Sequence, residues 1–217
     1  MREALGIIDA QRGFMPASEA SKYQLGGFGE LGVENGEQII EPINKLLTHF
    51  ASRGLEIFST QDWHPHDTAH FSETPDFNTN WPRHCVAGTP GAELHPAVIL
   101  PATSQRFTKG FEALERGEDD LSYSGYYAED PVSGRTLPEW LEARKIKKIT
   151  LGGLALDYCV GKTALDLRQR MGLDVAVVLD ASKAIAEESE KAILKDFHEA
   201  GIKTFETAEE FIRLRGA

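Results

Sequence analysis

The sequence predicts an α/β protein with a mainly parallel, six-stranded sheet flanked by helices. Short apolar runs of strand length alternate along the chain with segments of helical periodicity, and residues 4–8 and 175–179 are the clearest of these runs. Both runs are continuously apolar, which is typical of strands buried on both faces. Regular alternation of strands and helices indicates a parallel sheet, because parallel strands need a crossover connection.

Six strands and five helices follow from these patterns. The strands are predicted at residues 4–8, 55–59, 106–109, 148–151, 175–179 and 202–205. The helices are predicted at 39–50, at 137–144, from near Cys159 to Met171, through Ile193 and Phe197, and from the capping-box pattern Thr207-x-x-Glu210. Pro42 fits either a kink or the first turn of its helix. No repeat, low-complexity segment or linker is present, so residues 1–217 are predicted to form one domain.

Composition limits the classes of partner. The chain has 217 residues, of which 41% are hydrophobic and 26% charged, values typical of a globular domain. A net charge of −11 argues against nucleic acid or an anionic membrane as the partner. The N-terminal residues lead directly into a strand-like run rather than a signal peptide, and no apolar run approaches the ~20 residues needed to span a bilayer. We expect a cytoplasmic protein that acts on a small molecule, as a monomer or a small homo-oligomer.

Residues 60–86 contain four of the seven histidines in a segment without clear periodicity. Asp62 and His64 are two residues apart, so on an extended strand end their side chains point to the same side. His70 and His84 follow in the same segment. Imidazole together with carboxylate suits Zn²⁺, Fe²⁺ or Mn²⁺ better than Ca²⁺ or Mg²⁺. Spacing alone fits a metal site and a solvated polar loop equally well, because no short motif such as HExxH is present.

Four reactive groups follow the ends of predicted strands: Asp9, Asp62, Lys109 and the segment 153–159, which ends at Cys159. In parallel sheets ligands bind beyond the carboxyl ends of the strands. A junction between strand and helix favours an anion, so we expect a lowered pKa for the thiol of Cys159. Lys109 would stabilise the thiolate and Asp9 would take its proton.

Each of these residues also has a purely structural interpretation, as buried packing for Cys159, a helix cap for Asp9 and a solvated charge for Lys109. Their shared edge favours a nucleophilic site over three unrelated structural roles. The other cysteine, Cys85, is predicted to be buried packing, and both thiols are expected to be free.

Five segments occur in one order along the chain, with the sequences IIDAQRGF at 7–14, DWHP at 62–65, WPRHCVAGTPGA at 81–92, TKG at 108–110 and GLALDYCV at 153–160. Together they resemble the nicotinamidase (pyrazinamidase) branch of the isochorismatase-like cysteine hydrolases, and the resemblance covers essentially the whole chain. The segments at 81–92 and 157–160 are specific, whereas TKG alone is a weak match. The resemblance implies a Rossmann-like, three-layer fold.

The resemblance implies a catalytic triad of Cys159, Asp9 and Lys109. It also implies one divalent metal ion, zinc or iron in the first place and manganese as a further option, held by Asp62, His64 and His84. His70 stands where some members supply a further histidine ligand. His66 matches no ligand position and is expected to be solvated or to lie outside the ligand set.

The implied substrate pocket includes Phe14, Trp81 and Tyr123, which match positions that pack around a flat substrate ring, together with Leu154 and Ala155. The peptide between Leu154 and Ala155 matches one that is cis in relatives. The N–H groups of Ala155 and Cys159 would then form the oxyanion hole.

The implied reaction is hydrolysis of nicotinamide to nicotinate and ammonia, and of pyrazinamide to pyrazinoate, through a cysteine thioester, in NAD salvage. One alternative is a related cysteine amidohydrolase that acts on a carbamoyl or ureido compound. The metal segment argues against it, because a metal that binds a ring nitrogen has no purpose with an acyclic substrate. Another alternative is a non-catalytic metal-binding protein, against which the complete triad argues.

Overall fold

The computed structural model describes residues 2–77, 80–111 and 123–215. Its centre is a six-stranded sheet in the order β3-β2-β1-β4-β5-β6, with every neighbouring pair parallel. The strands are β1 (Arg2–Ile8), β2 (Glu56–Asp62), β3 (Gln105–Lys109), β4 (Ile146–Leu154), β5 (Asp174–Lys183) and β6 (Lys203–Phe205). The predicted fold class is confirmed. Several strands, β4 and β5 above all, extend beyond the predicted runs into glycines and polar residues, which an apolar pattern does not mark.

The described residues form six α-helices: α1 (Glu19–Tyr23), α2 (Ile40–Ala51), α3 (Leu137–Ala143), α4 (Gly161–Met171), α5 (Glu187–Ala200) and α6 (Ala208–Arg215). Five of them match predictions. The sequence does not predict α1, because five residues are too few to show helical periodicity. Pro42 is the third residue of α2 and so lies in its first turn, where no intrahelical N–H bond is lost.

Two apolar cores cover the two faces of the sheet. Leu5 and Ile7 of β1 belong to the core that includes α2 and α6, whereas Ala4 and Ile8 belong to the core that includes α3, α4 and α5. Alternate residues of one strand are therefore buried in opposite layers, which explains its continuous apolar sequence. Within the described ranges, no helix combines the length and the apolar content needed to cross a membrane.

From β1 the chain adds β2 and β3 on one side of the sheet, and it then adds β4, β5 and β6 on the other side. The site lies where this order reverses, between β1 and β4. Ile8 pairs with Thr60 of β2 on one side and with Gly153 of β4 on the other. A Cβ atom on Gly153 would lie 1.8 Å from the carbonyl oxygen of Ile8, so only glycine allows the strands to approach this closely. The carboxyl ends of β1 to β4 consequently meet at one edge, where α/β sheets bind ligands.

Candidate active site

Lys109 is the centre of a buried cluster at this edge. Its Nζ lies 2.9 Å from Oδ2 of Asp9, 2.5 Å from Oδ1 of Asp62 and 3.4 Å from Sγ of Cys159. All four side chains belong to residues that are at most 5% exposed. Thr60 donates a 2.7 Å hydrogen bond to the other oxygen of Asp9. The structure therefore brings into contact the groups that the sequence predicts only to share an edge.

The two carboxyl groups differ in their acidity. Burial raises the pKa of Asp9 above its usual value, against the opposing charge of Lys109. Burial also acts to raise the pKa of Asp62, but there Lys109 and His64 prevail and hold it well below the usual range. Although burial alone would lower the pKa of Lys109, Asp62 and Asp9 hold it well above its ordinary value. Of the two carboxyl groups, Asp9 is therefore the one poised to exchange a proton.

Cys159 does not have the lowered pKa that the sequence leads us to expect. It lies within a π-helical turn (Leu156–Val160) that precedes α4. Burial raises the pKa of the Cys159 thiol well above its ordinary value, and the lowering effect of Lys109 does not offset burial together with Asp9 and Asp62. The start of a helix alone predicts a lowered pKa for this thiol, whereas desolvation raises it. A thiolate at this position therefore requires proton transfer to a neighbouring base, and Asp9 is in place for it.

Three histidines gather beside this cluster. Ligand atoms of His64, His70 and His84 all lie within 4.8 Å of one another, and all three residues are buried. His64 donates from Nδ1 to the carbonyl of Gly110 at 3.0 Å, and His84 donates from Nδ1 to the carbonyl of Pro82 at 2.6 Å. Each bond orients its ring so that Nε2 is the nitrogen left to face a ligand.

The set fits a divalent transition metal. Nε2 of His64 is buried without a hydrogen-bond partner among the described residues, and Asp62 Oδ2 lies 3.6 Å from it. Burial lowers the pKa of His70 to about 4 and that of His84 to about 3, so both rings are neutral, as ligands must be. Imidazole nitrogens with one carboxylate suit zinc, iron or manganese. Asp62 also contacts Lys109, so it joins the histidines to the Cys159 cluster.

Gly110 makes room for the His64 ring. A Cβ atom there would lie 2.7 Å from both Cε1 and Nδ1 of His64, and the residue has φ of +85°. We expect Gly110→Ala to weaken zinc binding about tenfold or more, because the ring must move. The matched control is Gly134→Ala, at φ of +69° with no atom within 4 Å of a Cβ. Competition with a chromogenic chelator measures both affinities, and equal affinities would contradict the role of Gly110.

A pocket opens above the Lys109 cluster and the three histidines. Its lining consists of Phe14, Leu31, Val33, Asp62, His64, His70, Trp81, His84, Tyr123, Ala155, Tyr158, Cys159 and Ile185. All three predicted ring-packing residues, Phe14, Trp81 and Tyr123, are in this lining, and Trp81 donates from its indole nitrogen to the Tyr123 hydroxyl at 2.9 Å. The walls are mainly aromatic and aliphatic, which suits a flat, weakly polar ring.

Some predicted residues lie elsewhere. Leu154 is fully buried in one core, and its side chain is not part of the pocket lining. The predicted cis peptide between Leu154 and Ala155 is confirmed. His66 is exposed and contacts Asp67, whereas Cys85 is fully buried with its Sγ 3.5 Å from the carbonyl oxygen of Gly91.

Leu31, Val33, Tyr158 and Ile185 line the pocket but are not predicted by the sequence. Leu31 and Val33 belong to a glycine-rich connection without periodicity, and Ile185 lies in the loop between β5 and α5. Only Tyr158 carries a signal that could have identified it, since it precedes Cys159 directly.

Comparison with known proteins supports this description. A family model of the isochorismatase domain matches residues 3–209. The nicotinamidase of Acinetobacter baylyi is 38% identical over 196 residues, which are 84% of this chain and 81% of that protein. The nicotinamidase/pyrazinamidase of Mycobacterium tuberculosis is 33% identical over 183 residues, 84% of this chain and 87% of that protein. A solved structure of the pyrazinamidase of Pyrococcus horikoshii in complex with zinc has a TM-score of 0.75 at 35% identity, covering 94% of this chain and 99% of that one.

The fold, the site and these relatives together define a hydrolase that acts on amides. More particularly, the chain belongs to the isochorismatase family.

Proposed function

We propose that this protein hydrolyses nicotinamide to nicotinate and ammonia, and pyrazinamide to pyrazinoate and ammonia, through a thioester on Cys159, as a step of NAD salvage. The observation that carries the proposal is the 3.4 Å contact of Cys159 Sγ with Lys109, which also binds Asp9, below an aromatic pocket. The names of the similar enzymes from Acinetobacter baylyi and Mycobacterium tuberculosis support these substrates.

In this mechanism Asp9 takes the proton of the Cys159 thiol, and Lys109 stabilises the thiolate through their contact. The sulfur attacks the carboxamide carbon, and the N–H groups of Ala155 and Cys159 hold the oxygen that becomes negative. Asp9 then donates its proton to the departing ammonia, which leaves an acyl thioester. Water, deprotonated by Asp9, attacks the thioester, and the proton returns to the thiol as the acid leaves.

The pocket positions the ring for this attack. Phe14, Trp81 and Tyr123 enclose a flat heterocycle, which brings the carboxamide to Cys159. His64, His70, His84 and Asp62 would hold one divalent ion of zinc, iron or manganese. When bound, that ion supplies a Lewis acid for the ring nitrogen.

Ammonia release from nicotinamide by purified protein tests the proposal. We expect turnover by the zinc-loaded enzyme, loss of most of it after chelation, and recovery when zinc, iron or manganese is restored. The matched comparison is an acyclic carbamoyl compound under the same conditions, which we expect to be a poor substrate because it does not fill an aromatic pocket. Turnover that survives complete metal removal would overturn metal dependence, and preference for the acyclic compound would overturn the substrate assignment.

A further inference from the structure

Glu30 lies outside the predicted site yet reaches the main chain between its metal-binding histidines. Its Oε2 accepts a 2.8 Å hydrogen bond from the N–H of Cys85, the residue directly after His84. The carbonyl of Cys85 in turn accepts a 3.1 Å hydrogen bond from the N–H of His64. The backbone of Cys85 thus connects His84, the preceding residue, with His64, and Glu30 accepts a hydrogen bond from the Cys85 N–H.

The backbone that Glu30 binds has an unusual conformation. Cys85 has φ of +44°, in the left-handed region that residues other than glycine rarely adopt. Such a conformation is unfavourable for a residue with a side chain and persists only where its surroundings hold it. A hydrogen bond from a backbone N–H to a carboxylate is charge-assisted and stronger than one to a neutral acceptor, so the Glu30 contact stabilises this conformation.

Glycines line the space that the Glu30 carboxylate occupies. The carboxylate occupies the place beside Gly91 where a Cβ atom would stand, since that atom would lie 1.9 Å from Oε2. A Cβ on Gly13 would likewise lie 3.1 Å from the same oxygen. Gly91 and Gly13 therefore leave the space through which the Glu30 carboxylate reaches Cys85. A side chain at Gly91 would occupy that space.

Glu30 also belongs to the segment that forms one pocket wall. On either side of it, Leu31 donates its N–H to the carbonyl of Gly13 at 2.8 Å, and Gly29 donates to the carbonyl of Met15 at 2.9 Å. Leu31 lines the pocket. The contact between Glu30 and Cys85 therefore joins this wall to the turn that carries His84.

We propose that Glu30 is a positioning residue, whose carboxylate holds the left-handed turn at Cys85 and thereby orients His84 and His64 for metal binding while fixing the pocket wall at Leu31. This inference rests on the proposed metal-dependent function. No ion pair competes for the carboxylate, because the described residues include no cationic partner for Glu30 within ion-pair distance.

Zinc affinity of metal-stripped protein, measured by competition with a chromogenic chelator, tests the inference. We expect Glu30→Ala to weaken zinc binding about 10- to 100-fold, the usual effect of removing a group that orients a ligand. Glu30→Gln keeps an acceptor for the Cys85 N–H and should restore affinity to within about fivefold of the unchanged protein. The control is Glu34→Ala, which removes an exposed glutamate of the same segment and should leave affinity unchanged.

The readouts separate positioning from general stability. A merely structural role would lower the melting temperature of Glu30→Ala while leaving its zinc affinity intact, and that result would overturn the inference. If Glu30→Ala does not fold, Glu30→Asp decides, since its side chain is one methylene too short for the 2.8 Å hydrogen bond with the Cys85 N–H. Zinc affinity equal to that of the unchanged protein in that variant would overturn the inference. Failure of the unchanged protein to bind zinc, iron or manganese would overturn the metal-dependent function and this inference with it. Intact binding by the unchanged protein and by Glu30→Ala alike would overturn the inference alone.

Discussion

Cys159→Ala is expected to lower kcat for nicotinamide by about 10⁴-fold or more, the scale observed when the nucleophile of a covalent hydrolase is removed. The side chain contacts Lys109 at 3.4 Å and lies within 4.8 Å of Asp9 and Asp62, whereas the thiol of Cys85 faces the carbonyl of Gly91. Binding of the ring should survive, because the aromatic walls and the histidines remain. Steady-state ammonia release gives kcat, and calorimetric titration with nicotinamide gives the binding affinity.

Cys85→Ala is the matched control, since Cys85 is equally buried but its Sγ faces the carbonyl of Gly91 rather than the triad. We expect this variant to keep kcat near that of the unchanged protein and to lose only about 1 kcal/mol of stability from a small cavity. Full turnover by Cys159→Ala would exclude the covalent route. A large loss in both variants would indicate that packing, rather than nucleophilicity, explains the effect.

Lys109→Met is expected to reduce both stability and activity. The ammonium contacts Asp9 and Asp62, and all three residues are almost fully buried, so its removal leaves two carboxylates close together without a countercharge. Breaking a buried ion pair by removing one partner costs about 3–5 kcal/mol. Urea unfolding of the metal-free protein should show a loss of this size. We also expect ammonia release to become undetectable, since the pKa of Cys159 would rise further without the positive charge.

Lys147→Met supplies the comparison, because it removes an exposed lysine of β4 by the same substitution. Its unfolding free energy should change by no more than about 0.5 kcal/mol, as is usual at exposed positions. An unchanged urea midpoint for Lys109→Met would show that the ammonium does not stabilise the two buried carboxylates, and it would contradict this prediction.

The sequence predicts the sheet well because strands buried on both faces leave continuous apolar runs. Residues 175–179, which form part of β5, are the clearest example, with burial on both sides of the sheet. The apolar pattern does not predict strands or helices at positions where something other than burial decides the residue type. Gly153 continues β4 because the strand must approach Ile8, and α1 is too short for any period to be visible.

The structure brings together those predicted site residues whose chemistry alone marks them in the sequence. Asp9, Lys109 and Cys159 lie at or just beyond strand ends, and the histidines His64, His70 and His84, a rare residue type, lie in one short segment. The walls at Leu31, Val33 and Ile185 are ordinary apolar residues, which carry no local signal until the chain is folded. The predicted low pKa of the Cys159 thiol is wrong for a related reason, because a strand-to-helix junction does not reveal desolvation by distant segments.

The strand order has a consequence for the way in which activity develops during folding. Lys109 is the last residue of β3 and Cys159 follows β4, so two strands, β2 and β1, separate them in the sheet, and 50 positions separate them in the chain. Contacts of such sequence separation form late, because the intervening chain must be ordered first. Neither half of the sheet can assemble the reacting groups without the other. Recovery of ammonia release after dilution from denaturant would therefore report the joining of the two halves.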